Sequence, residues 1–187
     1  MCQRMIAATL GGGIANFGEA VALNNTTVSN NSAGAEGGGI LNSGVPGYYG
    51  GPLNITGSII TGNSAGINGG GISNDDEEVN ITNSQITRNT ARNDGGGIFN
   101  EGDTATITLT NSEIRRNFAG EDGGGIYNLE GDLALNRVQV ISNTAGDDGG
   151  GIANELGTVV IRNSTIRSNS AGDDGGGIYN FGGQITL

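Results

Sequence analysis

The chain of 187 residues contains no lysine, histidine or tryptophan, and it has only one cysteine and two prolines. Because histidine is absent, no side chain has an ordinary pKa near neutrality, and the commonest nitrogen ligand for metals is missing. The single cysteine, Cys2, excludes an internal disulfide. Glycine triplets are frequent, but no lysine follows any of them, which excludes phosphate-binding loops of the P-loop type.

Positive charge and long apolar runs are also scarce. Eight arginines against 19 acidic residues give a net charge of -11. That charge disfavours nucleic acids and anionic membranes as partners and favours cations or basic proteins. No stretch reaches the roughly 18 to 20 apolar residues of a membrane-spanning helix. The first residues lack the layout of a secretory signal, so an exported chain would carry its signal elsewhere or be a piece of a longer protein.

Glycine is the residue in excess, with 38 copies, and its arrangement is periodic. The tetrapeptide "GGGI" recurs at intervals of 26, 32, 26, 28, 26 and 26 residues, beginning at Gly11, Gly37, Gly69, Gly95, Gly123, Gly149 and Gly175. An asparagine stands five residues after the start of every copy: Asn16, Asn42, Asn74, Asn100, Asn128, Asn154 and Asn180. Another stands six residues before each later triplet: Asn31, Asn63, Asn89, Asn117, Asn143 and Asn169. Such fixed spacing is typical of a solenoid.

Between these anchors the apolar residues alternate with polar ones. In "VNITNSQITRN", Val79 and Ile81 share one face, and Ile86 follows a two-residue shift at Asn83 and Ser84. Period two indicates a strand, and a shift at a fixed place indicates a corner of the chain. We therefore predict three short strands in each repeat, of the forms "VxIxN", "SxIxxN" and "GGGIxN".

Strands this short cannot bury a core alone, but coils of about 26 residues can stack on one another. We predict an all-β fold, a single-stranded right-handed parallel β-helix, with the hand taken from the usual chirality of parallel crossovers. One domain spans residues 1–187, with an irregular partial coil over 1–10 and repeats over 11–187. The asparagines at equivalent positions are predicted to form buried ladders. The longer intervals place insertions at one corner, between Asn42 and Leu53 and between Asn100 and Ile107.

The pairing of "GGGI" with "ITRN", "IRRN" and "IRSN" resembles the GGA[I/L/V] and FxxN repeats of the polymorphic outer-membrane protein family. It is also similar to the right-handed parallel β-helix repeats of bacterial surface proteins. The resemblance covers about residues 11 to 187 and implies display at the cell surface and adhesion. Isoleucine or valine stands where the family has phenylalanine.

The residue before each triplet is usually acidic, and stacking would bring these carboxylates to about 5 Å from one another. Like charges at that distance raise each other's pKa or recruit a cation, and calcium takes carboxylate and carbonyl oxygens. One hypothesis is therefore a calcium site formed by Asp122, Asp148 and Asp174 with the preceding Asp147 and Asp173. The alternative is a solvated turn, in which aspartate and glycine serve turn formation.

Four tyrosines are candidates for contact with a partner. Tyr48 and Tyr49 lie in the longest insertion, whereas Tyr127 and Tyr179 follow "GGGI" and are predicted to face outward. Exposed tyrosines stack on sugars or anchor protein partners. The alternative is lateral packing between neighbouring coils.

Catalysis is not predicted from this sequence. β-Helical polysaccharide lyases and hydrolases use acidic clusters, and the lyases can use arginine as a base. Arginines do lie on or beside the second strand, at Arg88, Arg115, Arg116 and Arg167. However, nothing interrupts the repeat, and repetition alone explains every carboxylate.

The predicted function is a non-catalytic, extracellular or cell-surface structural module, used for adhesion or as a head-to-tail scaffold of a filament. Its partners would be further copies of itself, or a surface protein or glycan. No cofactor is assigned from the sequence, and calcium is the one candidate. The alternative is a carbohydrate-binding or carbohydrate-active β-helix. The filament hypothesis rests on the repeat register of the two ends. Leu187 follows the first strand of a coil, and Cys2 has the position in the repeat that the next strand would occupy. A fragment of a longer array has the same register.

Overall fold

A computed structural model describes residues 2–3, 6–7, 9–44 and 50–187. The described residues form a parallel β-solenoid and include no helix, so none is long and apolar enough to cross a membrane. The coils build four sheets, which we number 1 to 4 in chain order, and each coil contributes one strand to each sheet except that the last described coil has none in sheet 2. The all-β solenoid prediction is confirmed. The structure adds a fourth strand of two residues to the three strands predicted for each coil.

Sheets 1 and 2 contain the short strands of each coil. Sheet 1 is formed by Cys2–Gln3, Thr27–Ser29, Ile59–Thr61, Gln85–Thr87, Glu113–Arg115, Gln139–Ile141 and Thr165–Arg167. Sheet 2 is formed by Ile6–Ala7, Ser32–Ala33, Ser64–Ala65, Thr90–Ala91, Phe118–Ala119 and Thr144–Ala145.

Sheets 3 and 4 contain the longer strands, and sheet 3 is the one that follows each glycine triplet. Sheet 3 is formed by Ile14–Asn16, Ile40–Ser43, Ile72–Asp75, Ile98–Glu101, Ile126–Leu129, Ile152–Glu155 and Ile178–Phe181. Sheet 4 is formed by Val21–Asn24, Leu53–Thr56, Glu78–Thr82, Thr106–Thr110, Asp132–Asn136, Thr158–Arg162 and Gln184–Thr186.

Neighbouring coils pair in strict register despite the unequal repeat lengths. Val21 pairs with Leu53 across the longest interval, and Val79 pairs with Ile107 across the next longest. Both insertions therefore lie between sheets 3 and 4, at the corner predicted from the sequence. Because they leave the pairing of all four sheets unchanged, length variation is confined to one edge of the solenoid.

The interior is filled by columns of aliphatic side chains. Ile72, Ile98 and Ile126 of sheet 3 are fully buried, and they pack with the inward side chains of sheets 1 and 4 in one continuous core. Each buried aliphatic side chain of this size contributes roughly 1.5 to 3 kcal/mol. Sheet 2 supplies only alanines to its column, which suits strands of two residues that lie next to a corner.

The corners depend on residues with positive φ. Asn83, at the predicted phase shift, has φ 50°, and the first glycine of each triplet has φ near 65°, as at Gly95 (φ 64°). The third glycine has a different role. A Cβ atom on Gly97 would lie 2.5 Å from the carbonyl oxygen of Gly125 and 2.9 Å from Nδ2 of Asn117. The triplet thus combines a left-handed turn with close axial contact between coils.

Two asparagine ladders run through the stack. In sheet 3, Nδ2 of Asn100 donates to Oδ1 of Asn128 at 2.7 Å, and Nδ2 of Asn128 donates to Oδ1 of Asn154 at 2.8 Å. Nδ2 of Asn128 also donates to the carbonyl of Gly131 at 2.7 Å. These bonds tie each coil to the next and hold the turn between sheets 3 and 4.

The second ladder lies at the corner between sheets 1 and 2. Oδ1 of Asn117 accepts hydrogen bonds from both N and Nδ2 of Asn89, at 2.9 and 3.1 Å. Nδ2 of Asn89 also donates to the carbonyl of Ile60. Asn89 and Asn117 are buried, so these bonds satisfy polar groups that water cannot reach.

We predict that Gly97→Ala destabilises the solenoid, because the added methyl would collide with the backbone of the next coil. The expected loss is about 1 to 3 kcal/mol of unfolding free energy in a denaturant titration. Gly18→Ala is the control, since no atom lies within 4 Å of the position its Cβ would occupy. Equal stability of the two variants would contradict the close axial contact.

We also predict that Asn128→Ala destabilises the chain by about 1 to 3 kcal/mol, since it leaves buried partners without hydrogen bonds. Asn136→Ala, at an exposed position of sheet 4, is the matched control. Thermal and denaturant unfolding should separate the two variants. An unchanged transition for Asn128→Ala would refute an energetic role of the ladder.

Candidate binding face

The outer side of sheet 3 is the candidate site, and we call it the sheet-3 face. Its central column consists of the residues that follow "GGGI": Ala15, Leu41, Ser73, Phe99, Tyr127, Ala153 and Tyr179. Phe99 and Tyr127 stack with ring centroids 5.5 Å apart and form a second apolar cluster with Ala153. Tyr127 is only 7% exposed, so of the two alternatives for this residue the structure has lateral packing between neighbouring coils. The glycine backbone packs against this column, as Gly123 does against Tyr127.

One edge of the face is a ladder of acidic side chains before the triplets. Oδ1 of Asp94 accepts from the amide of Asp122 at 3.0 Å, and Oδ1 of Asp122 accepts from that of Asp148 at 2.7 Å. Oδ1 of Asp148 accepts from the amide of Asp174 at 2.8 Å. Each carboxylate therefore satisfies a backbone donor of the next coil. Asn68 performs the same role toward the amide of Asp94.

The residues one place earlier point to solvent. Glu121, Asp147 and Asp173 are exposed, and their backbones continue the axial hydrogen bonds. Within residues 9–44 and 50–187, no group of three or more acidic or cysteine side chains is arranged to hold a metal ion. Calcium binding by Asp122, Asp148 and Asp174 with Asp147 and Asp173 stays a prediction.

The opposite edge of the face carries half-buried carboxylates two residues after the central column. Asp75 and Glu101 are register neighbours in sheet 3. Asp75 accepts a hydrogen bond from Oγ of Ser43 at 2.9 Å. Glu155 lies in the coil that follows Tyr127, and it accepts a hydrogen bond from the tyrosine hydroxyl at 2.6 Å.

Acidic groups on the two edges influence one another across the face. The pKa of Asp94 is raised to about 6, mainly by burial. The charges of Asp122, Glu121 and Glu155 add to the rise, and the hydrogen bond from the Asp122 amide opposes it. Burial also raises the pKa of Glu36, and the charges of Glu101 and Asp75 add to the rise. Charges on one edge of the face therefore shift the pKa values of carboxyl groups on the other edge.

Burial raises the pKa of Glu101 as well, with the negative charges of Asp75, Asp76 and Glu130 adding to the effect. No arginine is among the groups that shift these pKa values. The arginines of the described residues lie on other sheets or at corners: Arg88, Arg92, Arg115, Arg116, Arg137, Arg162 and Arg167. A single ion pair forms among the described residues, at 3.3 Å between Arg115 and Glu113 in sheet 1.

A second, polar groove lies at the corner between sheets 4 and 1. It is lined by amide, hydroxyl and charged groups: Asn83, Ser84, Gln85, Asn111, Ser112, Glu113, Arg137 and Gln139. No aromatic ring lines it among the described residues. It therefore offers hydrogen bonds to a ligand but no stacking surface.

The remaining tyrosine candidates have different positions. Tyr48 and Tyr49 lie outside the described residues. Tyr179 is half-buried in the last strand of sheet 3, where it packs against the aromatic cluster. Contact of these tyrosines with a partner stays a prediction.

Comparison with known proteins gives one match. Residues 25–43 match the model of the Chlamydia polymorphic membrane protein repeat. The chain is similar to this repeat family. The matched stretch runs through strands of sheets 1, 2 and 3 and contains the second "GGGI" with Asn42, so the resemblance drawn from those motifs is confirmed. No curated protein and no solved structure matches the chain at a comparable level.

Sequence reasoning missed most of this face. The predicted site residues did not include Glu36, Ser73, Asp75, Glu101 or Glu155. A signal was available for three of them, because the motif "GGGIxN[D/E]" ends in an acidic residue at Asp75, Glu101 and Glu155. The sequence alone does not show that these residues lie on the edge of the face opposite the acidic ladder.

We predict that stability rises as the pH falls from 7.5 toward 5. Folding raises the pKa of Asp94 from 3.8 to about 6, so the folded chain binds the proton more tightly between those values. The free energy of unfolding therefore increases as pH falls through about 6 and levels off near 4.

Asp94→Asn should raise the melting temperature at pH 7.5 and reduce the gain at pH 5, because the amide keeps the acceptor oxygen, as Asn68 does. Asp173→Asn, on the exposed column, makes the same charge change and is the control. Identical pH profiles of the two variants would contradict a special role of Asp94.

Proposed function

We propose that this chain is a non-catalytic structural module of a cell-surface protein and that it serves in adhesion. The carrying observation is the uninterrupted stack of four sheets. The side chains that an enzyme would use as acids, bases or ligands are instead repeated along the axis as hydrogen-bonded ladders. A stack of this kind presents a long, regular side to partners.

The cell-surface location rests on the match to the polymorphic membrane protein repeat over residues 25–43. The net charge of -11 and the acidic sheet-3 face support contact with basic surfaces rather than with nucleic acid. The insertions between sheets 3 and 4 support such a role too, since they alter one edge without disturbing the core.

The carbohydrate-active alternative has weaker support. Phe99 and Tyr127, two of the three aromatic residues in the central column of the sheet-3 face, are buried, so their faces are not open for stacking on a sugar. The polar groove between sheets 4 and 1 offers only hydrogen bonds.

Filament formation is a further element of the proposal. In the last coil Asn180 is exposed and Ile178 is only half-buried, whereas Asn154 and Ile152 of the preceding coil are fully buried. A coil of the same kind would cover these groups, either from a longer array or from a second copy. Sedimentation at high concentration distinguishes the two, because only stacking between copies gives concentration-dependent association.

The adhesion proposal predicts that beads coated with the chain bind epithelial cell layers more than uncoated beads do. Beads carrying Gly97→Ala, with its disturbed stacking, should lose some of that binding. In parallel, neutral and acidic polysaccharides incubated with the chain should release no reducing ends or unsaturated products. The proposal would be contradicted if coated beads bound the cell layers no better than uncoated beads. Sustained release of reducing ends or unsaturated products from a polysaccharide would also contradict it.

A further inference from the structure

We propose that the sheet-3 face binds an extended peptide whose arginine or lysine side chains are three residues apart. The inference rests on the proposed function, since it names the class of partner that a surface module would contact. The peptide would lie along the solenoid axis. Its two cationic groups would occupy one acidic cluster at the level of Ser73 and a second at the level of Tyr127.

The first cluster contains a buried hydroxyl without a partner. Ser73 is 1% exposed, and its Oγ makes no hydrogen bond. Ser73 and Asp75 are two residues apart in one strand, so both side chains point to the outer side. Asp75 and Glu101 are register neighbours in sheet 3, and the charge of Asp75 adds to the burial that raises the pKa of both Glu36 and Glu101.

A serine is unusual in this column, because its register neighbours are Leu41 and Phe99. The two larger side chains flank the small one and leave a polar group between apolar walls. The hydroxyl can accept a hydrogen bond from an ammonium or guanidinium N–H, and it is the only hydroxyl in the described central column apart from the tyrosines.

The second cluster is centred on the Tyr127 hydroxyl. Its donation to Glu155 at 2.6 Å holds that carboxylate over the face. Burial raises the pKa of Tyr127 well above its usual range, and the hydrogen bond to Glu155 and the charges of Glu155, Asp94 and Asp122 add to the rise. This cluster therefore presents negative charge from both edges of the face.

The occupant follows from charge and spacing. The sheet-3 strands contain no arginine among the described residues, so no cation of the sheet itself neutralises these carboxylates. The carboxylates are not gathered as a metal-binding group in the described stretches of the chain. They are instead divided between two levels, which suits two separate monovalent groups on one partner.

Two coil spacings separate Ser73 from Tyr127, through Phe99, which is about 10 Å at roughly 4.8 Å per coil. A polyproline-type peptide rises about 3.1 Å per residue with three residues per turn, so side chains at i and i+3 lie on one side about 9 Å apart. Guanidinium groups bind carboxylates with paired hydrogen bonds.

The probe is a fluorescein-labelled peptide containing Arg-Pro-Pro-Arg, followed by fluorescence anisotropy at low and physiological salt. A peptide with the arginines adjacent is the spacing control. We expect saturable binding that salt weakens, and weaker binding of the control peptide. Equal binding of both peptides, or none of the first, would overturn the proposal.

The variant Glu36→Gln/Glu101→Gln should reduce affinity by about tenfold or more. Its control is Glu78→Gln/Asp132→Asn, which removes two exposed carboxylates at the same axial separation on sheet 4 and should change affinity less than about twofold. Equal losses would show non-specific attraction and overturn the site.

The substitution Ser73→Ala distinguishes a binding role of the hydroxyl from a structural one. Removing an unpartnered buried hydroxyl should leave the melting temperature equal or higher while lowering the peptide affinity. If affinity is unchanged, Ser73 does not belong to the site and the proposal for its level fails. Cell binding by the wild-type chain without peptide binding would refute this inference alone, whereas peptide binding without cell binding would refute the adhesion proposal alone.

Discussion

Axial hydrogen bonding between successive coils is the interaction on which the rest of the structure depends. Every sheet is built from strands of two to five residues, too short to be stable by themselves. They persist because each coil donates and accepts along the same axis as its neighbours, and because the third glycine of each triplet allows the backbones to approach. A side chain at Gly97 would prevent that approach, because its Cβ would lie 2.5 Å from the carbonyl oxygen of Gly125. Core columns, ladders and the acidic edges all follow from this stacking.

The same constraint explains why polar residues are used so uniformly. An asparagine or aspartate at one position in a coil meets its equivalent in the next. The Asn128 Nδ2 donates to Oδ1 of Asn154, and the Asp122 Oδ1 accepts from the amide of Asp148. Such groups are stabilised by repetition and are unavailable for independent chemistry. The sheet-3 face differs because its sequence varies from coil to coil, with Ser73, Phe99 and Tyr127 in successive positions.

The period, the strand positions and the insertion corner could be predicted from sequence because each depends on spacing that recurs in every repeat. The fourth strand was missed because Thr90–Ala91 is two residues long and has no alternating pattern. The sequence left open whether Tyr127 is exposed or packed between coils, because strand alternation gives the side of the sheet but not what covers it. The charge of Glu155 acts on the pKa of Asp94 from a coil two repeats away, which no local pattern encodes.

Residue-level hydrogen exchange measures the central claim most directly, since axial bonding protects backbone amides even in glycine-rich segments. The account predicts strong protection of the Gly95, Gly97 and Gly125 amides, each bonded to a carbonyl of the next coil, and faster exchange in the exposed last coil around Ser168. Exchange of the triplet amides at the rate of an unstructured peptide, with protection confined to the strands, would contradict it.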